Sequence, residues 1–191
     1  MTEKLSTRKL TLVSLLSGLG FFIQYLNFPI PPFPVFLKVD FSELPALVAG
    51  LMFGPLAGVT VEFVKNLLHF VFTGSESGVP IGQMANFLAG SAFVLTTVWT
   101  ARKIPGTKGL IAGLAIAALV TAILMSIANY WVILPAYAFL IHWTVEGPEK
   151  TALVLYGIGP FNLLKGLLVA LVFLPLYRRL QPRLKGRTLA G

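Results

Sequence analysis

The stretch that decides the fold is GLIAGLAIAALVTAILMSIANYWVIL, residues 109–134. Asn129 is its single strongly polar side chain. About 20 consecutive apolar residues suffice to cross a bilayer core as a helix, and this run exceeds that length. A helix that is apolar on every side belongs in lipid or in a very large core. Outward from it the chain continues in kind. Hydrophobic residues make up 56% of the 191, charged residues only 12%, and mean hydropathy is +0.83. Soluble domains carry about twice that share of charge.

The basic residues are grouped. Lys4, Arg8 and Lys9 precede the first apolar segment, Arg102, Lys103 and Lys108 flank the loop before residue 109, and Arg178, Arg179, Arg183, Lys185 and Arg187 follow the last segment. An excess of Lys and Arg marks cytoplasmic loops, so this grouping orients a polytopic membrane protein with both termini and the mid-chain loop on the cytoplasmic side. A net charge of +8 is then a topology signal favoured by anionic headgroups and not a nucleic-acid footprint. No cysteine is present, which excludes a disulfide framework and thiolate metal sites. The basic start followed by an apolar run resembles a signal peptide. No small-x-small cleavage site follows it, so the segment reads as a retained helix.

Turn and breaker signals divide the chain into six predicted helices at about 6–26, 42–54, 56–72, 81–100, 109–134 and 153–180, in one membrane domain over residues 1–191. Between the first two lies Asn27-Phe-Pro-Ile-Pro-Pro-Phe-Pro34, whose four prolines predict an extended, polyproline-like strap. Ser42 reads as an N-cap with Pro45 in the first turn. The second helix is too short to cross a bilayer, so the preceding loop is expected to dip into the protein, where backbone is covered. Pro135 is expected to stop the fifth helix, with residues 136–151 as a longer connection holding a short interfacial helix. Pro160 and Pro175 are expected to kink the sixth. Asp40, Glu43, Glu76, Glu146 and Glu149 fall on the outer side of this topology, which leaves Glu62 as the one carboxylate within the membrane.

Ionisable and amide side chains at membrane depth are costly and call for a reason. Asn162 and Lys165 share one face of the sixth helix. Asn129 lies over a turn from the outer end of the fifth, and Gln83 and Asn86 occupy the first two turns of the fourth. Amides and one cation at similar depth on three helices fit a pocket for an uncharged ligand rich in hydrogen-bonding atoms. Asn129 by itself reads equally as interhelical hydrogen bonding. Glu62, Lys65, Asn66 and His69 form a continuous stripe on the third helix. It reads first as a self-neutralised polar seam against a neighbour, and second as a coupling or proton path. On the first helix, Ser14 and Gly18, with Ser17 and Gly20 nearby, are small enough to admit a close partner. No phosphate loop, HExxH or GxSxG motif occurs, so ATP-driven transport would need an ATPase on another chain.

Three runs carry a resemblance: FLKVDFSELPAL (36–47), FGPLAGVTVEFVKNLLHF (53–70) and ANFLAGSAFV (85–94). The chain resembles the riboflavin-specific S component of energy-coupling factor transporters over most of its length. The resemblance implies six helices that bind a vitamin from the outside, with no cofactor and no enzymatic activity. It implies as partners a membrane coupling subunit and two ATPases, with riboflavin as ligand and flavin mononucleotide as a second candidate. It implies that Asn129, Asn162 and Lys165 contact the flavin ring and ribityl chain. The segment with Leu37, Val39 and Asp40 would close over the ligand. Ser14 and Gly18 would stand where the family carries an alanine-x-x-x-alanine docking pattern, different in identity but equally small. The alternatives are an S component for thiamine, biotin or another vitamin, distinguished by the ligand that co-purifies, and an intramembrane enzyme or channel. An enzyme would need an acid/base pair in the pocket, and a channel a polar stripe through the full depth of several helices.

Overall fold

The computed structural model describes residues 7–75 and 78–185, with side chains described to residue 180. Lys4, Glu76 and Arg187 lie outside the described residues, as do the side chains of Arg183 and Lys185.

Six helices form the body. They are α1 (Thr7–Tyr25), α2 (Glu43–Phe53), α3 (Pro55–Thr73), α4 (Ile81–Lys103), α5 (Thr107–Ile141) and α6. The last runs as Gly147–Ala152, Leu153–Ile158 and Gly159–Lys185 without a break. The six-helix all-α membrane architecture therefore stands. Among the described residues α3, α4, α5 and α6 are long and apolar enough to cross a membrane. The ends of α1 carry Thr7, Arg8, Lys9, Gln24 and Tyr25, which dilute its apolar centre. With 11 residues α2 spans only roughly 16 Å at 1.5 Å per residue, as its sequence predicts.

Two predicted boundaries are corrected. Pro135 does not end α5, which continues to Ile141, where His142 adopts φ 56° and the chain leaves the helix. The predicted connection from 136 to 151 shrinks to residues 142–146, and α6 begins at Gly147 instead of 153. The first has a plain cause, and the same device recurs inside α6. A π-helical turn, Asn129–Ile133, precedes Pro135 by two residues, and a second, Leu153–Ile158, precedes Pro160 by two. In these turns Leu134 N–H donates to Asn129 O, and Gly159 N–H to Val154 O, five residues back. A proline ring clashes with the carbonyl four residues earlier in an α-helix. The wider turn moves that carbonyl aside, so each helix absorbs its proline without stopping. The fourth helix also runs three residues past its predicted end, through Lys103.

The strap is folded and not extended. Phe28–Pro29 pairs antiparallel with Lys38–Val39, and two tight turns close on Phe33 N–H to Ile30 O and Leu37 N–H to Pro34 O. The Pro31–Pro32 peptide is cis. The hairpin is seated by aromatic edges, Phe33 on Phe161 and Phe36 on Trp143, and by Leu37 against Leu134, Val154 and Ile158.

Glycines permit the close crossing of α2, α3 and α4. A Cβ on Gly58 would fall 2.5 Å from Val94 Cγ1 and 2.8 Å from Ala46 O. Around that crossing Ala46, Leu47, Val61, Val94 and Val98 are fully buried. The same element packing brings α3 against α1, α2 and α4, and α5 against α4 and α6.

Candidate functional site

Lys165 is the centre of the site. Its Nζ lies 2.8 Å from Glu43 Oε1 at the start of α2 and 3.0 Å from Asp40 Oδ2 in the strap. Both carboxylates are buried in the helix bundle, so Glu62 is not alone as a buried carboxylate. The short α2 explains this. Because it cannot span, its N-terminal end and the strap before it enter the bundle, and their carboxylates come with them. Asp40 Oδ1 accepts the Ser42 N–H at 2.9 Å. Burial alone would raise the Asp40 pKa, but the Lys165 ammonium, with help from Lys65 and Ser42, holds it down to about 2.

Ser42 stands at the N-cap position of α2, as expected, but does not cap it with its side chain. Its Oγ accepts instead from Lys65 Nζ at 2.5 Å. The same Nζ lies 2.9 Å from Glu62 Oε2. The α3 stripe is thus a packed polar seam, as its pattern predicts. It continues through Asn66, whose Oδ1 accepts from Gln24 Nε2 of α1 at 3.1 Å and from Asn86 Nδ2 of α4 at 3.2 Å. Asn86 Oδ1 in turn lies 3.5 Å from Lys165 Nζ. Two groups that sequence analysis kept apart, the α3 stripe and the α4/α6 polar residues, are one network.

Asn162 and Lys165 line one small cavity with Glu43, Phe93, Thr121 and Val169. Its volume is about 20 Å³, room for roughly one water, whereas small-ligand sites need about 300 Å³ or more. The cavity is walled by side chains of α2, α4, α5 and α6. Glu43 Oε2 and Thr121 Oγ1 border it and are buried without a hydrogen-bond partner. Neither was singled out as a ligand contact from sequence. Thr121 could have been, being two turns before Asn129 on the same helix.

The other candidates distribute as follows. Asn129 begins the first π turn and is buried, its Nδ2 donating to Met125 O of its own helix at 2.8 Å. Asn162 does the same to Ile158 O at 2.9 Å. Val39 is fully buried, and Leu37 packs beneath the hairpin. Gln83 is not gathered in. It donates to Gly74 O at 3.0 Å and lies 3.4 Å from His69 Nδ1, at the α3–α4 turn. A wider, open depression of about 320 Å³ runs between the two π turns, lined by Ser126, Tyr130, Trp131, Thr151 and Leu155, with no charged or amide side chain. On α1, Ser14 is exposed and a Cβ on Gly18 would meet nothing within 4 Å, while Ser17 and Gly20 face inward. Gly20 makes room for Lys65, whose Cδ would lie 3.4 Å from its Cβ.

The family model for the ECF transporter, substrate-specific component, fits residues 8–177. The chain belongs to this family. An S component whose structure has been solved, from a bacterial ECF transporter, superposes with a TM-score of 0.80 at 43% identity, covering 93% of this chain and 98% of that one. Among curated relatives, "Riboflavin transporter FmnP" of Bacillus subtilis strain 168 is 44% identical over 180 residues, 93% of this S component and 94% of the relative. "Riboflavin transporter RibU" of Staphylococcus aureus strain TCH60 is 42% identical over 178 residues, 93% of each chain. These relatives are transporters and not enzymes.

Proposed function

We propose that this S component captures riboflavin from outside the cell membrane. It delivers the vitamin inward together with a membrane coupling subunit and two ATPase subunits. The observation that carries the reading is the identity above 40% to two riboflavin transporters along more than nine-tenths of the chain. The grouping of Lys and Arg supports cytoplasmic termini, which puts the hairpin and the cavity toward the outside. Flavin mononucleotide is the second ligand to test.

The chemistry of the cavity suits the ligand. Riboflavin is uncharged, with donors and acceptors along one ring edge and hydroxyls along the ribityl chain. Asn162, which borders the cavity, offers an amide group to a ring edge, and Asn129 would join it once the cavity widens. Lys165 can donate to ribityl hydroxyls, and the unpartnered Glu43 Oε2 and Thr121 Oγ1 can accept from them. Apolar side chains such as Phe93 and Leu37 would cover the ring faces. Because the cavity holds about one water, a flavin needs it to widen, and the strap, tied to the cavity through Asp40 and Lys165, is the segment we expect to move. Displacement of Phe33 from Phe161 and Phe36 from Trp143 would open it.

The test is riboflavin fluorescence during titration with the purified, detergent-solubilised chain, with thiamine and biotin as competitors. Saturable quenching that neither competitor reverses is the expected result. Absence of quenching from folded, flavin-free protein would sink the flavin assignment and leave the S-component fold standing.

A further inference from the structure

The open depression between the two π turns plays no part in the proposed function. It holds about 320 Å³ against α5 and α6. Ile127, Tyr130, Val154 and Leu155 wall it, and its two aliphatic hydroxyls are turned to their own helices. Ser126 Oγ donates to Ala122 O at 2.8 Å, and Thr151 Oγ1 to Gly147 O at 3.4 Å. The depth of the groove follows from helix length. From Thr107, where α5 starts beside the basic loop, to Ser126 the helix rises roughly 29 Å at 1.5 Å per residue. From Tyr177, just before Arg178, back to Leu155 the rise along α6 is roughly 33 Å. A bilayer's hydrocarbon core is about 30 Å thick, so the groove lies at its far edge, on the side of the hairpin. Trp131 on the groove and Tyr156 next to Leu155 are exposed, and such rings gather at headgroup level.

We propose that this groove binds an anionic phospholipid of the leaflet on the hairpin side, with an acyl chain along α5 and α6 and the phosphate against Lys150. The apolar walls select the chain. A gap without free polar groups is not a water site, and hydrocarbon is the medium it opens to. Lys150 selects the headgroup. Its Nζ lies 4.5 Å from the centroid of the Tyr130 ring, so a cation–π contact holds the ammonium at a wall of the groove. Lys150 is half-buried and forms no ion pair among the described residues. Its carboxylate neighbours in sequence, Glu146 and Glu149, are exposed, where water and salt screen their charge. A lysine at headgroup level attracts anionic lipid. The site is separate from the cavity around Lys165 and does not depend on which vitamin the chain binds.

Tryptophan fluorescence of the full chain in vesicles tests it. Trp131 lines the groove, and Trp99→Phe with Trp143→Phe leaves it as the sole tryptophan. The vesicles are equimolar phosphatidylglycerol and phosphatidylcholine, with bromine on the acyl chains of one lipid or the other. Brominated phosphatidylglycerol should compete for the groove about fivefold better, the preference that one lysine near a lipid surface confers. Lys150→Gln should make the two lipids equal. Equal quenching before that substitution, or a preference that survives it, would overturn the proposal. So would a Trp131 that neither lipid quenches, since protein and not lipid would then cover the groove. The wild-type chain gives a second reading without any substitution. Phosphatidylglycerol with a photoreactive acyl chain should label residues 126–131 and 151–155 more than the matching phosphatidylcholine probe does. Labelling confined to other segments would sink the site.

Discussion

Lys165 and Asp40 form an ion pair of 3.0 Å across 125 residues of sequence. It joins the last helix to the strap before the second and so ties the lid of the cavity to its floor. Glu43 completes the arrangement from the other side. The cation therefore holds the fold together at the proposed site, and the effects of changing it follow from that position.

Lys165→Ala should abolish riboflavin quenching and also lower the thermal unfolding temperature. It leaves two buried carboxylates without their cation, a situation that costs about 3–5 kcal/mol. Lys165→Met combined with Asp40→Asn and Glu43→Gln should recover much of the stability while binding stays lost. Unchanged thermal stability in Lys165→Ala would show that the ion pairs do not form in solution.

Asn162→Ala behaves differently. Among the described residues its amide bonds to its own helix, at Ile158 O. The substitution should weaken riboflavin binding about tenfold, the value of one good hydrogen bond of roughly 1.4 kcal/mol, with little change in unfolding temperature. Wild-type affinity in the folded variant would remove Asn162 from the site.

Acid should release the strap. The folded-state pKa of Asp40 is depressed from its ordinary 3.8 to about 2, so its carboxylate contributes stability that is present above 3.8 and lost as pH falls toward 2. Thermal unfolding measured from neutral pH down to pH 3 or so should therefore fall at the acid end. Asp40→Asn should flatten that fall, and an unaltered pH profile in the variant would contradict the assignment.

Two glycines should part company. Gly90→Ala would place a methyl against the Glu62 carboxyl and should destabilise by about 1–3 kcal/mol, the usual cost of overpacking. At Gly18 there is open space, so Gly18→Phe should leave unfolding and riboflavin binding intact. In cells it should reduce riboflavin uptake if this face of α1 meets the coupling subunit. Full uptake would remove that face from the docking surface.

Some of the site was legible in the residues. Asn162 and Lys165 three apart on a long apolar segment, and the Glu62-to-His69 stripe, are local patterns that helical geometry turns into faces. Glu43 was not legible in this way. Its neighbours in sequence place it at a helix start on the outer side, and only the insertion of that start into the bundle brings it to Lys165. The helix-ending role assigned to Pro135 failed for a similar reason. A proline stops an α-helix, but a π turn two residues earlier makes room for it.

The sequence by itself determined a membrane-embedded bundle of six helices, its charge asymmetry and its S-component kinship. Apolar length, basic clusters and contiguous motifs are properties of the chain read in order. Only the tertiary structure decided which polar groups meet. It joined Asp40 and Glu43 to Lys165, Asn66 to Asn86, and Glu62 to the bare backbone of Gly90. The physical reason is that buried charges and amides must find partners inside the protein, and those partners lie on other helices at distances that sequence order does not encode.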